Sequence, residues 1–97
     1  MKSYEVMYII KPSIDDATKA ALIEELHGII TSHEGSIDKV NEWGLKDLAY
    51  EIDDFKKGYY VVTEFTVGVE GLNEFDRLTR INNNVIRHMI INKDEMK

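Results

Sequence analysis

The 97-residue sequence contains no cysteine and only one proline. Without thiols the chain cannot form disulfides, ligate zinc or an iron–sulfur cluster through cysteine, or use a cysteine nucleophile. No apolar run approaches the ~20 residues that a membrane helix needs. The N-terminal segment also lacks the long apolar stretch of a secretory signal. We therefore expect a mature cytoplasmic protein that makes no contact with a membrane.

Positive charge is also scarce, with 12 Lys and Arg against 18 Asp and Glu and a formal net charge of −6. Nucleic-acid binders usually have a basic surplus, because phosphate contacts supply much of their affinity. The 17 residues from Arg77 to Lys93 nevertheless contain no acid. This acid-free window is either the solvated face of a helix end and a strand or a surface that binds phosphate.

The length and composition predict one ordered domain over residues 1–97. Apolar residues make up 43% of the chain, which is ordinary for a globular protein. Two domains would each be too small to bury a stable core. The first strand, Ser3 to Ile10, is apolar on both faces, as a central strand is.

Turn and cap signals divide the rest of the chain. Ser13 stands where a helix N-cap is expected, and the helix should run from about Ile14 to about His33, with Gly35 supplying a positive φ at its end. The remaining predicted elements are a long strand over Ser36–Ile52 interrupted near Gly44, a hairpin loop over Asp53–Gly58, a strand over Tyr59–Val67, a helix near Val69–Ile81 and a strand over Val85–Asn92.

This order predicts an α+β fold of the split βαβ, ferredoxin-like type. Its four-stranded antiparallel sheet should have the strand order 4-1-3-2, with both helices on one face. One sheet face is then open, and the second strand lies at an edge. A long apolar edge invites another chain to pair with it. The candidate partner-binding residues on this strand are Val40, Trp43, Leu45, Leu48 and Tyr50.

Patterns that indicate chemistry are missing. There is no glycine-rich phosphate loop and no serine-nucleophile motif. His27 and His33 are six residues apart, roughly 240° around a helix, so they do not share a face for a metal. We predict a protein that is not an enzyme and that needs no metal, cofactor or small-molecule substrate. Tyr4 and Tyr8 could stack on RNA from an open sheet face, but we interpret them as core or rim tyrosines.

Several short segments along the chain resemble the sequences of the bacterial small-subunit ribosomal protein S6 family. The most specific is WGLKDLAYEI over Trp43–Ile52, followed by the GYY strand start at Gly58. The resemblance covers nearly the whole chain. The other strings are Tyr4-Glu5, Ile9-Ile10-Lys11-Pro12 and Asn84-Val85-Ile86-Arg87-His88.

The resemblance implies a structural protein of the cytoplasmic ribosome, without catalysis. Members pair with ribosomal protein S18, and the heterodimer binds the central domain of small-subunit ribosomal RNA during assembly of the platform. The long second strand is the element that they offer to the partner. By the same resemblance, the RNA contacts of this chain are Lys2, Arg80, Arg87, His88 and Lys93, with Lys46 as the basic residue kept within the WGLKDLAY string.

One alternative uses the same fold differently. A non-catalytic ferredoxin-like interaction or regulatory module would dimerise through its edge strand. A tight homodimer in sedimentation would favour this alternative over the ribosomal one.

Overall fold

The computed structural model describes residues 1–52 and 55–93, without the side chains of residues 49, 50 and 52. Within that part of the chain the sheet order is β2-β3-β1-β4, and every pairing is antiparallel. The predicted split βαβ fold and strand order are therefore confirmed. The elements are β1 (Lys2–Ile10), α1 (Asp16–Ser32), β2 (Ser36–Ile52), β3 (Phe55–Val67), α2 (Val69–Ile81) and β4 (Val85–Asn92).

The core lies between the sheet and the two helices. On β1, the residues from Tyr4 to Ile10 with even numbers are buried, whereas Glu5 and Met7 are only half-buried on the other face. Phe75 of α2 packs against Phe65 of β3, with ring centroids 5.2 Å apart. Each such side chain contributes roughly 1.5–3 kcal/mol through burial. The further core residues are Leu22, Leu26, Ile30, Val61 and Val67.

Helix α1 begins two residues later than the sequence pattern predicted. Asp15 is the N-cap, and its Oδ1 accepts a hydrogen bond of 2.8 Å from the backbone N–H of Thr18. This bond holds the pKa of the Asp15 carboxyl below its usual value. The predicted cap at Ser13 is wrong, because an aspartate caps a helix as well as a serine does and Asp15 stands next to the first turn.

The end of α1 also differs from prediction. Glu34, with φ of 64°, takes the left-handed conformation that was assigned to Gly35. The Glu34 N–H bonds to the Thr31 carbonyl and the Gly35 N–H to the Ile30 carbonyl, which is a Schellman motif. Gly35 is needed for space instead, since a Cβ there would lie 2.6 Å from the carbonyl oxygen of Thr66.

The β2–β3 hairpin is longer than predicted. Strand β3 begins at Phe55, so residues 55–58 are strand and not loop. The other two residues of the predicted loop, Asp53 and Asp54, lie outside the described residues. Strand β2 is continuous through Gly44, where φ is 87° and the register with β3 shifts. The predicted interruption at this glycine is therefore a bulge within one continuous strand.

Candidate functional site

Strand β2 lies at one edge of the sheet and carries a group of exposed apolar side chains. The exposed fractions are 40% for Val40, 53% for Trp43 and 56% for Leu45. Leu48 is half-buried, and the side chain of Tyr50 lies outside the described residues. We call Val40, Trp43 and Leu45 the β2 edge patch. Exposed apolar side chains gathered on an unpaired strand edge are typical of a surface that another chain covers.

The β2 edge patch is divided between the two faces of the sheet. Trp43 stacks on Tyr60 on the open face, and the Lys46 Nζ lies 5.9 Å from the centre of the Trp43 ring. Val40 and Leu45 face the helical side, because they pair with the buried Thr63 and with Tyr59. The patch therefore wraps around the strand edge. The sequence pattern did not predict that the Tyr60 ring stacks on Trp43.

A second contact fixes β2 to the helical layer. The hydroxyl of Tyr59 donates a hydrogen bond of 2.8 Å to Oε1 of Glu42, which raises the pKa of Tyr59. On its other side the Tyr59 ring lies 4.0 Å from the Lys19 Nζ of α1. These contacts hold the backbone of β2 in place beside the patch. No sequence signal pointed to them, since they join three separate elements.

The open sheet face carries a carboxylate pair. Glu5 and Glu64 are directly opposite one another on β1 and β3, an arrangement that is unfavourable without a cation. Lys93 forms an ion pair with Glu64, and this contact raises the pKa of the Lys93 ammonium. Lys93, a predicted RNA contact, is thus already ion-paired with an acidic side chain of the same chain. Lys93 directly follows the last residue of β4, and its side chain reaches over the open face of the sheet.

At the sheet edge opposite to β2, α2 and β4 bring three polar side chains together. Two of them, Arg80 and His88, are predicted RNA contacts, and the third is Asp76. Oδ1 of Asp76 lies 2.7 Å from Nε2 of His88, and its Oδ2 accepts a hydrogen bond from Nη2 of Arg80. The His88 side chain is 13% exposed, whereas that of Arg80 is 68% exposed. Arg80 is therefore accessible to a large ligand, whereas the His88 side chain is mostly covered and contacts Asp76.

The six predicted RNA contacts do not form one cluster. Arg80 and His88 both contact Asp76. Arg87 lies on the other face of β4 from His88 and is opposite Ile9 of β1 in the sheet. Lys2, at the start of β1, lies at the same end of the sheet as Lys93. Lys46 lies on β2, at the other edge. We call Arg80, Arg87, His88 and Lys93 the β4 cationic edge.

Neither a metal centre nor a membrane segment is visible in the described residues. Among residues 1–52 and 55–93, no group of three or more His, Asp or Glu is arranged to hold a metal ion. The helices of the same part of the chain are too short or too polar to span a bilayer.

Two comparisons with known proteins agree with each other. A family model described as ribosomal protein S6 matches residues 3–92. The crystal structure of the 30S ribosomal protein S6 from Thermotoga maritima superposes with a TM-score of 0.91 and is 31% identical in sequence. The match covers 98% of this chain and 90% of that chain.

Proposed function

Since the chain belongs to the ribosomal protein S6 family, and is thereby a protein of the small ribosomal subunit, we propose that it binds the central domain of small-subunit ribosomal RNA as a heterodimer with ribosomal protein S18. In this role the chain is a structural component of the cytoplasmic ribosome and performs no catalysis. The observation that carries the proposal is the exposed β2 edge patch of a chain that is itself acidic.

The charge of β2 supports a basic partner. The strand contains four acidic residues, Asp38, Glu42, Asp47 and Glu51, and two lysines, Lys39 and Lys46, so its formal charge is −2. A partner strand that adds to this edge gains backbone hydrogen bonds, and the patch supplies apolar contacts on both sides. Opposite charges on the two chains would then raise their rate of association, and like-charge repulsion would disfavour binding of acidic proteins.

The two surfaces lie at opposite edges of the sheet, since β2 and β4 are its outer strands. A partner on β2 would therefore leave the β4 cationic edge accessible to RNA. With a net charge of −6, the chain alone can neutralise few phosphates and should bind RNA weakly. A basic partner supplies the missing positive charge, which explains why RNA binding would require the heterodimer.

The test is a binding titration of a central-domain ribosomal RNA fragment with this chain, with an S18-family protein, and with both. We expect tight binding only with both proteins. Replacing Arg80 and Arg87 together with Ala should weaken the ternary complex and flatten its dependence on salt. The matched control is Arg77→Ala, which removes an α2 cation that is paired with Glu74.

Two results would contradict the proposal. If the chain alone bound the RNA as tightly as the two proteins together, the β2 edge patch would have no role in RNA binding. A tight homodimer in sedimentation, broken by Leu45→Lys, would instead favour the interaction module that pairs with a second copy of itself.

A further inference from the structure

Gly44 lies at the point where the β2 edge patch divides between the two faces of the sheet. The register shifts between Glu42, opposite Val61, and Gly44, opposite Tyr60, so β2 has one more residue than β3 across this step. The additional residue is Trp43, which stacks on Tyr60 on the open face. The residue that follows the glycine lies on the helical side.

The backbone conformation, and not the available space, requires a glycine at this position. Gly44 has a φ of 87°, in the left-handed region that residues with a side chain rarely adopt. A Cβ at Gly44 would meet no atom within 4 Å. The effect of a larger residue there would therefore arise from a change in the path of β2 and not from a clash.

We infer that Gly44 is a positioning residue of the partner-binding surface, because its left-handed backbone keeps Leu45 on the helical side of β2 while Trp43 lies on the open face. A partner strand along this edge would then be held by apolar side chains on both of its faces. The inference rests on the proposed function, since it requires a partner strand on β2. It concerns the shape of that surface.

The part of β2 that follows Gly44 is not held in register by β1. Within the described residues, the pairing of β1 with β3 ends at Ile10 and Tyr59, and Tyr59 is also the residue opposite Leu45. From Lys46 onward, β2 therefore pairs with a segment of β3 that lies beyond the end of β1. The side chains of Leu45 and Lys46 are exposed, so a change of register here would not disturb the core.

A residue that avoids the left-handed conformation should make this part of β2 regular. Continuing the register that precedes the bulge would place Leu45 opposite Gly58 instead of Tyr59. Gly58 and Tyr60 share the open face of β3, because side chains alternate along a strand. Leu45 would then move to the open face, and the helical side of the patch would keep only Val40.

The experiment measures the affinity of Gly44 variants for an S18-family protein by isothermal titration. Gly44→Asn should bind within about twofold of the wild type, since asparagine tolerates the left-handed conformation. Gly44→Val should lose at least about fivefold, the effect of one contributing interface side chain, because a β-branched residue avoids positive φ. Gly28→Ala is the control, since it adds a methyl group at an exposed helical glycine and should leave the affinity unchanged.

A double variant separates positioning from general destabilisation. If Gly44 acts through Leu45, Leu45→Ala alone should lower the affinity about as much as Gly44→Val does, and the combination should lower it no further. The stack of Trp43 on Tyr60 should persist in each of these variants. The near-ultraviolet circular dichroism of the free variants should therefore resemble that of the wild type.

Equal affinities of Gly44→Val and Gly44→Asn would overturn the inference, since the left-handed conformation would then have no role in binding. Full additivity of Gly44→Val and Leu45→Ala would also overturn it, because the glycine would act independently of Leu45. If Gly44→Val fails to fold, the comparison of Gly44→Ala with Gly44→Asn decides the question, since alanine also disfavours positive φ. Absence of any complex between the wild-type chain and an S18-family protein would instead refute the proposed function, together with this inference.

Discussion

Trp43 and Tyr60 stack on the open face of the sheet, with ring centroids 6.4 Å apart and ring planes 9° from parallel. Trp43 comes from the edge strand and Tyr60 from the neighbouring β3. Half of the Trp43 side chain remains exposed, so the stack gives the β2 edge patch a rigid aromatic anchor. Such anchors provide most of the binding energy of many protein interfaces.

Trp43→Ala should weaken the proposed complex with an S18-family partner by at least about 2 kcal/mol, because the β2 edge patch would lose its aromatic side chain. Isothermal titration measures this loss. Trp43 is the only tryptophan of the chain, so the fluorescence of the wild type should also change on partner binding. The control is Met89→Ala, an exposed apolar residue on β4. An equal loss of affinity in both variants would place the partner elsewhere.

Asp15→Ala should lower the urea concentration at the midpoint of unfolding, because the orphan N–H of Thr18 loses its acceptor. Ser13→Ala should leave the midpoint unchanged, since Ser13 is exposed and lies outside α1. Chemical denaturation followed by circular dichroism tests both. Destabilisation by Ser13→Ala alone would mean that the helix begins where the sequence pattern predicted.

Gly28→Ala and Gly71→Ala should have opposite effects on stability although both glycines are helical. A Cβ at Gly28 meets no atom within 4 Å, so alanine should stabilise α1 by up to about 1 kcal/mol. At Gly71 a Cβ would lie 2.5 Å from Cγ2 of Val67 and 2.8 Å from Cβ of His33, and α2 would have to move away. Unfolding free energies measured in urea would contradict this prediction if both variants shifted in the same direction.

Stability should fall as the pH drops below about 6.5, and His27 should contribute to this fall. Its Nε2 lies 3.3 Å from the Thr63 hydroxyl, and burial lowers the pKa of His27 from the ordinary 6.5 despite the nearby charge of Glu42. The unfolded state then binds the proton first, so acid favours unfolding.

The unfolding free energy of the wild type, measured between about pH 5 and about pH 8, should show this slope, and that of His27→Gln should be flatter. His33→Gln is the control, because the His33 ring bonds to its own helix through the Ile29 carbonyl. Carboxylates whose pKa is lowered, such as Asp15, lose their contribution only at more acid pH. A slope that survives His27→Gln would assign the effect to another group.

The fold could be predicted because turn and cap signals divide the chain into the same six elements that the structure contains. Tyr4 and Tyr8 were interpreted as core or rim tyrosines, and the structure places both in the core, where they are buried beneath the helices. Their equal parity placed them on one face of β1 with Val6 and Ile10, and the structure shows that this face is the one beneath the helices. Membership of the S6 family, predicted from the WGLKDLAYEI and GYY strings, is also confirmed.

The faces of β2 could not be predicted in the same way. Trp43 and Leu45 are two residues apart and would share one face in a regular strand. The bulge between Glu42 and Gly44 shifts the alternation, so Trp43 lies on the open face and Leu45 on the helical side. A glycine in a strand indicates that a bulge is possible, but the side that each neighbour takes depends on the register with β3.

The contact between Asp76 and His88 was not predictable either. The two residues belong to different elements, and their distance depends on how far α2 is rotated against the sheet. The buried residues of α2 are Gly71, Phe75 and Thr79, whereas Leu72 is only partly buried against the core. The glycine at position 71 lets α2 lie close to the Val67 side chain, a contact that a side chain at this position would prevent.

The left-handed conformation of Gly44 has a consequence for solubility. A straight edge of 17 residues would be a template on which identical chains could add strand after strand, as in a fibril. The bulge at Gly44 shifts the register of β2 halfway along, so we expect a second copy not to find one regular row of backbone donors and acceptors. The same irregularity requires any strand that adds to this edge to follow the bulge, so a regular strand would leave part of the edge unpaired.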